Sequence, residues 1–69
     1  MITKVEYGET VRNGEPGLTL IFTYDNEFTD AYEVWGLDNV NTVGLWLGQE
    51  PDPTALLVNL RHMVGLTVH

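Results

Sequence analysis

The chain has 69 residues, 43% of them apolar, no cysteine, and ten acids against Lys4, Arg12 and Arg61, for a formal net charge of −7. A chain this short makes one core, residues 1–69 forming a single acidic domain, and it has no disulfides or thiolate metal ligands to brace it. The charge argues against direct nucleic-acid binding, which needs a basic footprint, and the apolar content excludes a disordered acidic tail. No apolar run exceeds five residues, so no membrane span is expected. Glu6 interrupts the start before a secretory apolar core can form, and the absence of cysteine fits a reducing cytoplasm.

Ile2 to Tyr7 reads as a strand, with Thr3, Val5 and Tyr7 on one face and Ile2, Lys4 and Glu6 on the other. Gly8 ends it or forms a bulge, and Thr10-Val11-Arg12 can extend it. Asn13-Gly14 and Glu15-Pro16-Gly17 are turn signals in close order. Leu18 to Tyr24 is the strongest strand, since Leu18, Leu20, Phe22 and Tyr24 alternate with Thr19, Ile21 and Thr23.

Asp25-Asn26-Glu27 makes a turn, and Phe28 to Trp35 returns. A three-residue loop sets Tyr24 opposite Phe28, Leu20 opposite Tyr32 and Leu18 opposite Val34, at the cost of placing Asp30 against Phe22. A two-residue loop pairs Leu20 with Ala31 and turns Tyr32 and Val34 outward. The first register is preferred, because a slip of one residue exposes the whole apolar set.

Gly36 to Thr42 is ambiguous. Leu37, Val40, Val43 and Leu47 have nearly helical spacing, with Asp38 or Asn39 available as a cap, yet Val43 to Gly48 alternates strictly and contains two glycines. A loop followed by a strand over 43–47 is the expectation. Gln49-Glu50-Pro51 then links to an amphipathic helix over 52–65. Asp52 caps that helix, Pro53 fits its first position, Gly65 ends it, and Leu56, Leu57, Leu60, Met63 and Val64 form its apolar stripe. Leu66 to His69 is either a frayed end or a short extra strand.

The expected fold is therefore α+β, a small antiparallel sheet of about four strands with one C-terminal amphipathic helix across one face. The helix stripe would meet Val5, Tyr7, Leu18, Leu20, Phe22, Tyr32, Val34, Val43, Leu45 and Leu47.

No motif carries recognisable chemistry. There is no serine or cysteine, and the two histidines, His62 and His69, lie off the core stripe and at the last position. No phosphate-binding glycine loop precedes a helix, so no catalytic residue, metal site or cofactor is expected. Two binding surfaces are expected instead. Asp25, Glu27, Asp30 and Glu33 place four acids within nine residues, a carboxylate row that could imitate phosphates or simply keep the chain soluble. Ile2, Ile21, Ala31, Trp35 and Trp46 are expected on the sheet face away from the helix, as an apolar patch ringed by Lys4, Glu6 and Glu33. The rings of Trp35 and Trp46 could alternatively close a sheet edge.

These features fit a non-enzymatic protein-binding module, a small acidic regulator or inhibitor that occupies a basic surface of a larger protein. Compact acidic inhibitors of this general form include those phages make against host machinery, a comparison that rests on size and charge alone. The alternative is a structural or assembly subunit that self-associates through the Trp-bearing face.

Overall fold

The computed structural model describes residues 1–49, 52–63 and 66–68. Its elements in chain order are β1 (Ile2–Arg12), β2 (Glu15–Tyr24), β3 (Thr29–Trp35), α1 (Leu37–Gly48), α2 (Pro53–Arg61) and β4 (Leu66–Val68). The strands form one antiparallel sheet in the order β1-β2-β3-β4, and both helices contribute to a single core on one of its faces.

The turns follow from local chemistry. Asn13 and Gly14 both take positive φ, 54° and 79°, as a two-residue hairpin requires, and Arg12 pairs with Glu15 around them. Between β2 and β3, the Glu27 N–H donates to the Tyr24 carbonyl at 3.0 Å and the Tyr24 N–H donates to the Phe28 carbonyl at 2.8 Å. Glu27 itself sits at φ 72°. This is a three-residue loop with a left-handed third position. It sets the expected register, with Leu20 opposite Tyr32 and Leu18 opposite Val34.

That register buries Leu18, Leu20, Phe22, Tyr32 and Val34 under the helices. Phe22 and Tyr32 meet edge to face, with centroids 5.6 Å apart and planes at 89°. Asp30 does fall opposite Phe22, and the fold answers its cost directly: the Tyr24 hydroxyl donates to Asp30 Oδ2 at 2.8 Å. A half-buried carboxylate thus has a partner, which removes most of the penalty of placing it on the core face.

The strand expected over 43–47 is a helix, α1, so the sheet carries two helices rather than one C-terminal helix. Val43 is fully buried, with Val40, Trp46 and Leu47 packed around it, a set spaced at three and four residues. The glycines that argued for a strand face open space on the flank of α1. A methyl group at Gly44 or Gly48 would meet nothing within 4 Å, so their cost is backbone entropy alone. Gly36, at φ 98° and ψ 142°, makes the corner between β3 and α1, a conformation open essentially to glycine only. Asn39 Nδ2 donates to the Trp35 carbonyl at 2.9 Å across this corner. Asp38 lies in the first turn, where its charge suits the helix dipole, but it is not the cap.

The C-terminal helix forms where expected. Asp52 Oδ1 accepts from the Thr54 N–H at 3.0 Å, Pro53 opens the helix, and Leu56, Leu57 and Leu60 are buried. It is shorter than expected, over Pro53–Arg61, with the exposed His62 as its C-cap and half-buried Met63 just beyond. The expectations on Glu50, Pro51, Val64, Gly65 and His69 lie outside the described residues. Leu66–Val68 is the short extra strand, antiparallel to β3, and it supplies the fourth strand that 43–47 does not.

Three further residues depart from expectation. A bulge between Ile2 and Lys4 shifts the register of β1, so Ile2 packs against the core instead of the open face. Tyr7 and Leu45, expected inside, are 61% and 67% exposed. Tyr7 lies on the helix side of β1 and Leu45 on the flank of α1, where the two elements leave a gap open to solvent.

Candidate functional site

The residues singled out for binding divide among three places. Asp25 and Glu27 occupy the β2–β3 turn, both exposed. Beside them Phe28 is 71% exposed, its N–H held by Asn26 Oδ1 at 3.2 Å. The turn geometry forces this exposure: the loop closes at Tyr24 and Phe28, past the end of the helix-covered sheet. The Asp25 carboxylate is 3.7 Å from the Met1 amino group, and both groups are well solvated, so the pair contributes little.

Asp30 is on the helix side of β3 and Glu33 on the open side, so the four acids do not form one row. Each has a local task. Asp30 holds the Tyr24 phenol, whose pKa is raised first by that hydrogen bond, then by desolvation and by the carboxylate's charge. Glu33 Oε2 accepts from the Trp35 indole N–H at 3.2 Å. The arginine of α2, Arg61, is held above its ordinary pKa, first by hydrogen bonding to Tyr32.

The open face of the sheet presents Lys4, Glu6, Gly17, Thr19, Ile21, Ala31, Glu33 and Trp35. Trp35 is the organising residue there. Its ring covers Gly17, where an added Cβ would stand 2.6 Å from two ring carbons, and the Arg12 guanidinium lies 4.2 Å from the ring centroid. The ring is half-buried and already engaged by a cation and a hydrogen-bond acceptor. Ile21 is 37% exposed beside Ala31, and Lys4 and Glu6 pair at 3.3 Å. Trp46 is not part of this face. It belongs to α1 and packs against the core, because 43–47 is helical.

Sequence reading missed two features. One is the exposure of Phe28, which it placed in a regular strand, although the position next to a turn was the available signal. The other is a trough of about 1040 Å³ between α1 and β1, lined by Tyr7, Leu18, Val40, Leu45 and Leu47, with Glu9 its only carboxylate among the described residues. That trough exists only because 43–47 is a helix, so nothing in the expected strand pattern pointed to it. Among the described residues no three histidines, aspartates or glutamates converge as metal ligands, and no helix is long and apolar enough to cross a membrane. Comparison with family models, curated protein sequences and solved structures finds no match to the chain.

Proposed function

We propose that this chain is a non-enzymatic protein-binding module of the cytoplasm, a small acidic regulator or inhibitor that docks on a basic surface of a larger protein. The observation that carries this reading is the β2–β3 turn, where Phe28 is 71% exposed between the exposed acids Asp25 and Glu27 and the half-buried Asp30. An apolar anchor inside a charged rim matches the anatomy of a binding hot spot, in which the ring fills a pocket and the rim steers the encounter. Because the acids are dispersed over both faces, the proposal is charge-steered docking and not imitation of a phosphate row. The net charge of −7 supplies the long-range attraction toward a basic surface.

Capture experiments from a lysate of the source cell, followed by titration of the purified captured protein, test this reading. Phe28→Ala is expected to weaken binding by about 2 kcal/mol, roughly thirtyfold. Replacing Asp25 by Asn together with Glu27 by Gln is expected to slow association and flatten its salt dependence. A partner held equally well by the Phe28→Ala chain would overturn the reading.

The alternative, an assembly subunit that associates through the open sheet face, retains Trp35 and Ile21 but not Trp46. Its specific support is a different feature, the free edge of the sheet.

A further inference from the structure

We propose that two copies of this chain associate through β1, pairing antiparallel with Tyr7 of one copy opposite Tyr7 of the other, so that two four-stranded sheets join edge to edge. Among the described residues β1 pairs on one side only, with β2, and it runs for 11 residues without a proline. Long bare edges are ordinarily blunted, because their free backbone groups invite another strand.

The direction of those groups follows from the hydrogen bonds of β2. Pro16 accepts from the Gly36 N–H and the Tyr24 N–H donates to Phe28, so the even-numbered residues of β2 bond toward β3. Its odd-numbered residues therefore bond toward β1, through Thr10, Gly8 and Glu6. The N–H and C=O groups of Val5, Tyr7, Glu9 and Val11 are left directed at the free edge.

The cover over β1 is uneven in a way that suits a second copy. Ile2 and Val5 pack against the core, and α2 lies against this strand. Tyr7 and Val11, on the same side, are 61% and 71% exposed. An antiparallel pair about a two-fold axis perpendicular to the sheet keeps all helices on one side. It also sets the bare end of each β1 beside the covered end of the other.

Charge permits this contact and selects its register. β1 carries Lys4, Glu6, Glu9 and Arg12, which cancel, so the net −7 resides wholly on the rest of the chain. A pair centred on Gly8 sets Lys4 against Arg12, and one centred on Glu6 or Glu9 sets like carboxylates together. A pair centred on Val5 leaves Glu9 and Val11 beyond the partner strand. Centred on Tyr7, Lys4 meets Thr10, Val5 meets Glu9 and Glu6 meets Gly8, with no like charges opposed. The two tyrosines then sit side by side on the helix face, at the mouth of the trough between α1 and β1.

Analytical ultracentrifugation of the whole chain across a range of concentrations tests the proposal, with circular dichroism to verify folding. The wild type is expected to form a dimer. Tyr7→Lys, which opposes two ammonium groups at the axis, is expected to shift the equilibrium toward monomer by about tenfold or more. Phe28→Ala is expected to leave the dimer unchanged, which separates this interface from the acidic turn. Since the chain has no cysteine, Tyr7→Cys provides a direct reading of register. Facing Cα atoms in such a pair are about 5.5 Å apart, within disulfide range, so mild oxidation should cross-link that variant and not Val58→Cys on α2. A chain monomeric at every concentration overturns the proposal, as does a dimer that Tyr7→Lys leaves intact or that Tyr7→Cys fails to cross-link.

Discussion

Trp35 and Gly17 depend on each other. The indole needs a flat floor, and only a residue without Cβ supplies one, since an added methyl would stand 2.6 Å from the ring. Gly17→Ala should therefore destabilise the fold by about 1–3 kcal/mol through displacement of Trp35, measurable by denaturant unfolding. Most of that cost should vanish when Trp35 is also replaced by Ala, because the two closest approaches are to its ring and the third, to the Thr10 methyl, is looser at 3.0 Å. A second dependence links Tyr24 to Asp30. The phenol's pKa in the fold lies above its ordinary 10.0, so its hydrogen bond stabilises the fold fully below pH 10. That contribution is lost as pH rises through the raised folded value. An ultraviolet titration of phenolate should show Tyr24 ionising above the ordinary phenol range, and Asp30→Asn should bring it back toward that range. The sequence alone exposed the conflict at Asp30 but not its resolution, which depends on the diagonal reach of Tyr24 across the hairpin.

At the scale of elements, the hairpins and the C-terminal helix were legible because local chemistry and apolar period agree there. Asn13-Gly14 and Asp52-Pro53 each favour one local geometry, and at the second turn the apolar alternation selected the three-residue loop over the two-residue one, whereas Glu15-Pro16-Gly17, read as a turn, opens β2. Residues 37–48 were not legible, because two periods overlap: Val43, Leu45 and Leu47 alternate, while Val40, Val43 and Leu47 follow a helix. Packing decides for the helix, which buries Val43 and brings Trp46 onto the core, whereas a strand would have left Trp46 on the open face. Substitutions at two positions test that assignment. Gly44→Ala, on an open helical surface, should stabilise the protein by about 0.5–1 kcal/mol and by more than Gly44→Val does, whereas a strand would favour the valine. Trp46→Ala should destabilise by about 2–4 kcal/mol, a large share of the stability of a domain this small. If it leaves unfolding unchanged, Trp46 is not a core residue. The bulge after Ile2 was illegible for a different reason. It inverts the inside and outside of the first residues without any glycine or proline to mark it.

For the molecule as a whole, the sequence conveyed the sign of the surface charge and the separation of an apolar interior from an acidic exterior. It did not convey how the acids divide. Asp25 and Glu27 stand at one turn, Asp30 and Glu33 are engaged on opposite faces, and β1 is electrically neutral. Candidate contacts therefore move from the paired tryptophans to the Phe28 turn and the free β1 edge, two surfaces that separate variants can address. The most direct measurement of the central claim is a calorimetric titration of the captured, purified partner with the wild-type chain and with Phe28→Ala at low and high salt. Affinity should fall with salt for both chains and be roughly thirtyfold lower for Phe28→Ala throughout. Equal affinity of the two chains, or binding indifferent to salt, would contradict that claim.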